Sequence, residues 1–198
     1  MRSLASTARL IALTGLVSMA GAAQAAGATD AYAGFALGPS SIDADCSSVI
    51  VTRCDTDDTG FKVYVGFDLP RMPLPHPAFE VAYIDFGSAT VSVPGAHRTV
   101  EASAVTFDLA LRGQLMPSLG VVGRVGLGYV SAKGNGTGGL NLYGSSSNSS
   151  LSPHLGAGLE LGINRQLKVV GSFDYTGYDT GAESGSATLF SVGLQVGF

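Results

Sequence analysis

Eight charged side chains recur at alternate positions of extended, mostly apolar segments. They are Lys62, Glu80, Asp108, Arg112, Arg124, Glu160, Lys168 and Asp174. Four acids and four bases on the same side of neighbouring strands would meet in a narrow interior, where charges must pair to offset the loss of hydration. The chemistry predicted from this pattern is charge pairing in a self-neutralised polar core.

The side chains that could support catalysis lie far apart in the sequence. His76, His97 and His154 fall on different loops and strands. Hydrolysis of the lipid A deacylase kind would need a serine, a histidine and an acid converging on one outer surface. Ser152 is near His154, but alternation turns this histidine inward. We therefore predict that the protein is not an enzyme.

Two other stretches match ligand-binding loops only in part. Residues 134–139 fit a G-x-G-x-x-G string, but no helix-forming run follows, so a flexible outer loop is favoured over a nucleotide site. The start of a calcium loop is matched by Asp55, Asp57, Asp58 and Gly60. The twelfth position of that loop is Gly66 instead of glutamate, which excludes an EF-hand and leaves a loose surface cation site as the weaker alternative. No metal and no cofactor are predicted.

The chain contains two cysteines, Cys46 and Cys54, in a segment rich in Asp, Ser and Thr. In an exported protein such a close pair favours a loop disulfide. A metal site is the alternative, but two thiols with no histidine nearby leave the coordination incomplete. The expected role of the disulfide is to stiffen the loop.

Eight segments with a two-residue apolar period must position these side chains. They are 31–40, 60–68, 78–89, 101–115, 119–133, 151–162, 166–178 and 187–198. Each is long enough to cross a bilayer at the usual strand tilt, which needs about 9–11 residues. The last segment has one wholly apolar face, formed by Phe190, Val192, Leu194, Val196 and Phe198. In water such a face would promote aggregation, whereas in a bilayer lipid would solvate it.

The connections between segments alternate between short and long. The short links are 69–77, 116–118 and 163–165, and the long or polar links are 41–59, 90–100, 134–150 and 180–186. Short periplasmic turns and longer outer loops are typical of an outer-membrane barrel. We therefore predict an all-β fold, an eight-stranded antiparallel transmembrane up-and-down β-barrel.

The beginning of the chain predicts export. Arg2 and Arg9 precede a short apolar run, 10–19, and the small residues Ala23 and Ala25 fit a signal-peptidase cleavage site. Residues 1–25 are therefore predicted to be a cleaved signal peptide, and residues 26–198 the barrel domain.

Composition supports a membrane barrel and excludes several other classes. Charged residues are only 13% of the chain, against about a quarter in ordinary soluble domains, and 28 residues are glycine. No apolar run of 18–20 residues exists after the signal segment, which excludes a transmembrane helix. Losing Arg2 and Arg9 would take the formal charge from −4 to about −6, so no nucleic-acid partner is expected.

Three motifs in order resemble the OmpA-like transmembrane barrel family, which includes small porin-like surface antigens. They are residues 79–87 (FEVAYIDFG), 123–129 (GRVGLGY) and 155–160 (LGAGLE). The resemblance covers nearly all of residues 26–198 and implies a bacterial outer-membrane location among lipid and lipopolysaccharide. In that family the terminal strand ending on Phe198 is similar to the signal read by the barrel-assembly machinery, and periplasmic chaperones are expected partners during biogenesis.

The resemblance also bears on the interior charges and on tethering. It implies ion pairs among Glu80, Arg112, Arg124 and Glu160, a cluster that in the family can gate small solutes. The resemblance covers only the barrel and not the periplasmic peptidoglycan-binding domain of full-length OmpA proteins, so it does not imply cell-wall tethering.

Three functions remain open from the sequence. The first is a structural barrel that maintains the envelope and presents outer loops 41–59 and 134–150, with adhesion or immune contact. The second is a low-conductance pore for ions or small solutes. The third is an exported soluble β-sandwich that binds a ligand, which is disfavoured because the polar positions combine glycine with charged residues, as in a barrel lumen.

Overall fold

The computed structural model describes residues 31–43, 53–69, 76–137, 146–179 and 184–198. Nine β-strands are found in these ranges. They are β1 (Ala31–Ile42), β2 (Arg53–Asp55), β3 (Asp57–Asp68), β4 (His76–Val93), β5 (Ala96–Met116), β6 (Leu119–Thr137), β7 (Ser146–Gly162), β8 (Leu167–Asp179) and β9 (Ser184–Gly197). No helix long and apolar enough to span a bilayer occurs among the described residues. The predicted signal peptide and Cys46 lie outside these ranges.

Eight of the strands form a closed antiparallel ring. The order around the ring is β1-β3-β4-β5-β6-β7-β8-β9, and β9 pairs with β1 from Tyr32 opposite Gly197 to Ile42 opposite Ala187. The remaining strand, β2, adds three residues to the edge of β4 beyond the ring. The predicted eight-stranded barrel is confirmed, because every strand in the ring has a hydrogen-bonded neighbour on both sides.

The strand bounds differ from the sequence prediction mainly at the end of the barrel with the long links. Several residues predicted to be in those links belong to strands instead. The expected loop 90–100 is instead a two-residue turn at Pro94-Gly95, because β4 and β5 continue pairing up to Val93 opposite Ala96. Residues 134–137 are likewise part of β6, paired with β5. The four strands β4 to β7 have 17–21 residues each, whereas the other four in the ring have 12–14. One half of the barrel wall is therefore taller.

Side chains alternate between an apolar outer belt and a filled interior. Large apolar residues such as Phe107 (51% exposed) and Leu127 point outward on neighbouring strands, while Asp108 beside them is 1% exposed. The predicted faces of the last strand are found, since Phe190, Val192, Leu194, Val196 and Phe198 are exposed and Ser191 and Gln195 are buried. A β-sandwich would hide the apolar faces, so that alternative is wrong.

The interior is layered along the barrel axis. At the end nearest the long hairpins, Ile42, Ile84, Phe86 and Leu189 are fully buried and fill the space within the ring. The charged residues lie between this apolar layer and the short turns at the other end. Eight strands enclose a space just wide enough for side chains, so the two layers together form a core.

Two tyrosines pack across the interior against glycines on the neighbouring strand. Tyr32 on β1 lies opposite Gly66 on β3, and Tyr64 on β3 lies opposite Gly34 on β1. A Cβ atom at either glycine would overlap the facing tyrosine ring. The two rings meet edge to face with centroids 6.3 Å apart, a favourable aromatic geometry. The glycines are thus required for space, so that two large rings fit between paired strands.

Replacing Gly66 with alanine is expected to reduce the yield of folded barrel, because the new methyl group displaces the Tyr32 ring from its hydrogen bond with Glu80 (2.6 Å). Gly171→Ala is the matched control, since no atom lies within 4 Å of a Cβ there. The measurement is the fraction of protein with heat-modifiable gel mobility after refolding into detergent. Equal yields for the two variants would contradict this account.

A β-bulge interrupts the pairing of β4 with β5 between Asp85 and Ser88. Gly87 within it has φ +73°, a left-handed conformation that glycine adopts without strain. Asp58, on β3 above the apolar belt, accepts hydrogen bonds from the Ser88 N–H (2.7 Å) and hydroxyl (3.0 Å). The backbone N–H of Thr59 and these Ser88 donors lower the pKa of Asp58 from its ordinary value. This carboxylate therefore fastens the bulge to the neighbouring strand.

The bulge is expected to loosen in acid. Because the pKa of Asp58 is lowered, its stabilising contribution is present above the ordinary aspartate pKa and is lost as pH falls through the lowered value. The amide resonances of Thr59 and Ser88, followed by NMR in detergent, should titrate with a midpoint below that of a free aspartate. Asp58→Asn should abolish this titration, and a midpoint at or above the free value would contradict the assignment.

Candidate functional site

The charged interior of the barrel is the candidate site. All eight charged residues singled out in the sequence lie on the inward face or at the inner rim. Lys62, Glu80, Asp108, Arg124, Glu160 and Asp174 are buried, and the Arg112 side chain is 11% exposed. Lys168, at the end with the short turns, is 38% exposed. Alternation along each strand is what brings these side chains to one space.

Arg112 on β5 joins three carboxylates from three other strands. Its guanidinium donates to Asp68 (2.8 Å), Glu80 (2.8 Å) and Glu160 (2.9 Å). The same group lies over the ring of Tyr32, 4.1 Å from the centroid. A planar guanidinium has five N–H donors in a fixed arrangement, so one arginine can bridge several acids. Arg112 thus links β3, β4, β5 and β7 across the lumen.

Glu80 on β4 is the acceptor shared by the most donors in this cluster. It receives hydrogen bonds from the Tyr32 hydroxyl, from Arg112 and from both Nε and Nη2 of Arg124. Glu80 is 1% exposed, so its charge is compensated by protein groups in place of water. The ion pairs expected among Glu80, Arg112, Arg124 and Glu160 are found as Arg112–Glu80, Arg112–Glu160 and Arg124–Glu80.

A second pair lies deeper in the barrel. Lys62 Nζ is 2.7 Å from Asp174 Oδ1, and both side chains are at most 1% exposed. The other Asp174 oxygen accepts from the Ser172 hydroxyl at 3.1 Å. At the rim, Lys168 donates to Glu160 at 2.7 Å. Each of these cations therefore has a carboxylate partner on another strand.

Sequence reasoning missed two members of this network. Asp68 joins Arg112 at the rim, and His154, set aside as a failed catalytic histidine, contacts Asp108 with Nδ1 at 2.7 Å. Its Nε2 is 3.5 Å from Asp174 Oδ1, a distance within ion-pair range but without the geometry of a hydrogen bond. Alternation already turned His154 inward, and this was the signal that could have included it. Its closeness to Asp174 could not be read from the sequence, because Thr176 is the residue paired with His154 on β8 and Asp174 is paired with Gly156.

The other sequence candidates lie away from the interior. His76 starts β4, and His97 lies on the outer hairpin beside Thr137. Cys54 lies on β2 and is disulfide-bonded, while its pairing with Cys46 stays a prediction because Cys46 is outside the described residues. Residues 138–139 of the glycine-rich stretch are also outside them.

A cavity of about 400 Å³ opens at the end with the short turns. Its lining includes Tyr32, Asp68, Arg112, Lys168 and Gln195. Arg112 and Asp68, which form an ion pair, are both in this lining, whereas the apolar layer formed by Ile42, Ile84, Phe86 and Leu189 contributes no residue to it. The interior can thus admit solvent from one end, while paired charges and apolar side chains occupy the rest.

A closed ring with lipid-compatible side chains outside and paired charges inside defines an integral outer-membrane barrel. A family model described as the outer membrane protein beta-barrel domain matches residues 10–198. The chain therefore belongs to this family of bacterial outer-membrane proteins.

Solved structures of small outer-membrane barrels share the fold. Ail, the attachment invasion locus protein of Yersinia pestis, is similar with TM-score 0.55 and 16% identity, over 86% of this chain and 99% of that one. The N-terminal barrel of Pseudomonas aeruginosa OprF gives 0.53 and 14%, over 85% and 97%. Neisserial surface protein A gives 0.55 and 11%, over 85% and 97%. No curated protein matches the sequence significantly.

Glu80→Gln is expected to destabilise the barrel by about 3–5 kcal/mol, because it removes the carboxylate that Arg124 and Arg112 share in a buried site. The matched control is Asp55→Asn, which breaks the exposed pair Arg53–Asp55 (3.4 Å) and should change the free energy of unfolding by about 0–1 kcal/mol. Urea unfolding in detergent micelles measures both. A cost for Glu80→Gln as small as that of the control would count against a paired lumen.

Proposed function

We propose that this protein is a structural barrel that contributes to envelope integrity and presents a polar wall to the environment. The observation that supports this most is the filled interior, in which Arg112, Glu80 and Arg124 tie neighbouring strands together. Such a barrel resists deformation, since opening it would expose charges to an apolar layer or separate ion pairs. Membrane lipid contacts the apolar belt, and lipopolysaccharide is the proposed partner around it.

The alternative of a low-conductance pore has less support. Ile42, Ile84, Phe86 and Leu189 fill the end of the barrel nearest the long hairpins, where water would have to enter. A path through the lumen would require both this apolar layer and the Arg112 ion pairs to move. We therefore place the pore second.

The tall side of the barrel supplies the proposed outer surface. Strands β4 to β7 continue beyond the apolar belt, and hydroxyl groups there pair across strands, as in Thr90 with Thr99 (3.3 Å) and Ser131 with Ser149 (3.1 Å). Long hairpins face outward in outer-membrane barrels, while short turns face the periplasm. Adhesion or immune contact would use this wall together with loops 41–59 and 134–150, of which residues 44–52 and 138–145 are outside the described ranges.

The charge of this outer end bears on the kind of ligand. Ail was crystallised with sucrose octasulfate, a heparin analogue. In the described part of the present chain, acidic residues at the outer end outnumber basic ones. The acids are Asp43, Asp55, Asp57, Asp58, Asp85, Glu101 and Asp179, and the bases are Arg53, Arg98 and Lys133. A net negative surface repels sulfated polyanions, so we propose that any adhesive contact involves an uncharged or cationic partner.

The orientation can be tested with the three lysines of the chain as internal controls. Lys133 is exposed on the tall wall, Lys168 lies at the opposite rim, and Lys62 is 1% exposed in the lumen. A membrane-impermeant amine reagent applied to intact cells should modify Lys133 alone, as read by peptide mass spectrometry. Lys168 should react only after permeabilisation, and Lys62 only after unfolding.

Modification of Lys168 but not Lys133 in intact cells would contradict the proposed orientation.

Two further measurements separate the candidate functions. Reconstituted barrel in planar bilayers should show no steady conductance, and a strain lacking the protein should admit large apolar antibiotics until the intact gene is restored. Steady channel steps with unchanged antibiotic entry would favour the pore.

A further inference from the structure

The enclosed part of the lumen contains one more acid than base, if histidine is left out of the count. The bases are Lys62, Arg112 and Arg124, and the acids are Glu80, Asp108, Glu160 and Asp174. The two partly exposed rim residues, Asp68 and Lys168, carry opposite charges and cancel. An unbalanced charge within the membrane is costly, so the described interior requires one additional proton.

Among the residues that the structure describes, Asp108 is the enclosed acid without a lysine or arginine partner. Glu80, Glu160 and Asp174 each form an ion pair with one of those side chains. The contacts found for Asp108 are the Thr106 hydroxyl (2.6 Å) and Nδ1 of His154 (2.7 Å). Asp108 is 1% exposed, so water does not compensate its charge. The missing proton therefore belongs to the Asp108–His154 pair.

Both ring nitrogens of His154 face carboxylates. Nδ1 is 2.7 Å from Asp108 on β5, and Nε2 is 3.5 Å from Asp174 on β8. A neutral imidazole has a proton on one ring nitrogen and a lone pair on the other, which can only accept hydrogen bonds. If Asp108 is ionised, that lone pair would face a carboxylate, which is also an acceptor, in either tautomer. Imidazole is also more basic than a carboxyl group by about two pH units. The positive charges of Lys62 on β3 and Arg124 on β6 disfavour a second cation at His154. Both are already compensated, Lys62 by Asp174 and Arg124 by Glu80.

We propose that His154 is held as an imidazolium between Asp108 and Asp174 and is the cation that completes the charge balance of the lumen. It connects β5, β7 and β8, whereas Arg112 connects β3, β4, β5 and β7. The barrel is then sensitive to alkaline pH. The stability of the barrel is greatest at the lower pH at which histidine in the unfolded chain is also protonated. It decreases as pH rises and the folded barrel loses the His154 proton, which leaves Asp108 unpaired.

The protonation state can be read directly by NMR. Replacing His76 and His97 with glutamine leaves His154 as the one histidine of the chain, and both replaced residues are outside the lumen cluster. With ¹⁵N-labelled histidine in detergent-folded barrel at pH 7, both ring nitrogens should carry a proton. A single protonated nitrogen at pH 7 would overturn the proposal.

A charge-restoring double variant separates charge from packing. His154→Gln should lower the temperature of the heat-modifiable gel shift by roughly 5–10 °C and remove its dependence on pH above neutrality. Adding Asp108→Asn, which deletes the uncompensated carboxylate, should recover at least about half of that loss. His97→Gln is the matched control and should leave both the temperature and its pH dependence unchanged. A double variant no more stable than His154→Gln alone would overturn the proposal, and if neither variant folds, the NMR measurement still decides.

Discussion

A strand within a bilayer has no water to satisfy its backbone polar groups, and the rest of this structure depends on that constraint. The pairing of β9 with β1 supplies the last set of hydrogen bonds and leaves no open edge in the ring. Closure also divides the side chains of every strand between lipid and lumen. Because only eight strands close the ring, the polar side chains of all of them must share one narrow space.

Charge pairing follows from this crowding. Arg112 contacts Asp68, Glu80 and Glu160, residues that are far apart in sequence but adjacent once the ring is closed. Replacing a whole buried ion pair with well-packed apolar side chains often changes the stability little. Removing only one partner is costly, because the other charge then stays buried without compensation. The network therefore favours one register of the strands, since a slip by one residue would turn the charges toward lipid.

The two ends of the barrel differ in how far water reaches the interior. At the end with the short turns, solvent reaches Lys168 and Asp68, which tolerate partial exposure. At the other end, Phe86 and Leu189 fill the lumen, and four strands continue beyond the apolar belt as a wall with paired hydroxyl groups. A rigid, filled barrel carrying a tall polar wall is better suited to support and contact than to passage of solutes.

The sequence by itself determined the fold class, the faces of the strands and the inward position of the eight charged residues, because alternation is a local property that each strand carries in full. It placed Phe190 and Val192 outward and Glu80 and Arg124 inward without reference to other strands. Only the tertiary structure decided which charges meet, since the partners of Arg112 come from three strands. The strand extensions past Thr90, the bulge at Gly87 and the position of His154 between Asp108 and Asp174 likewise depend on pairing register, which a single strand does not encode.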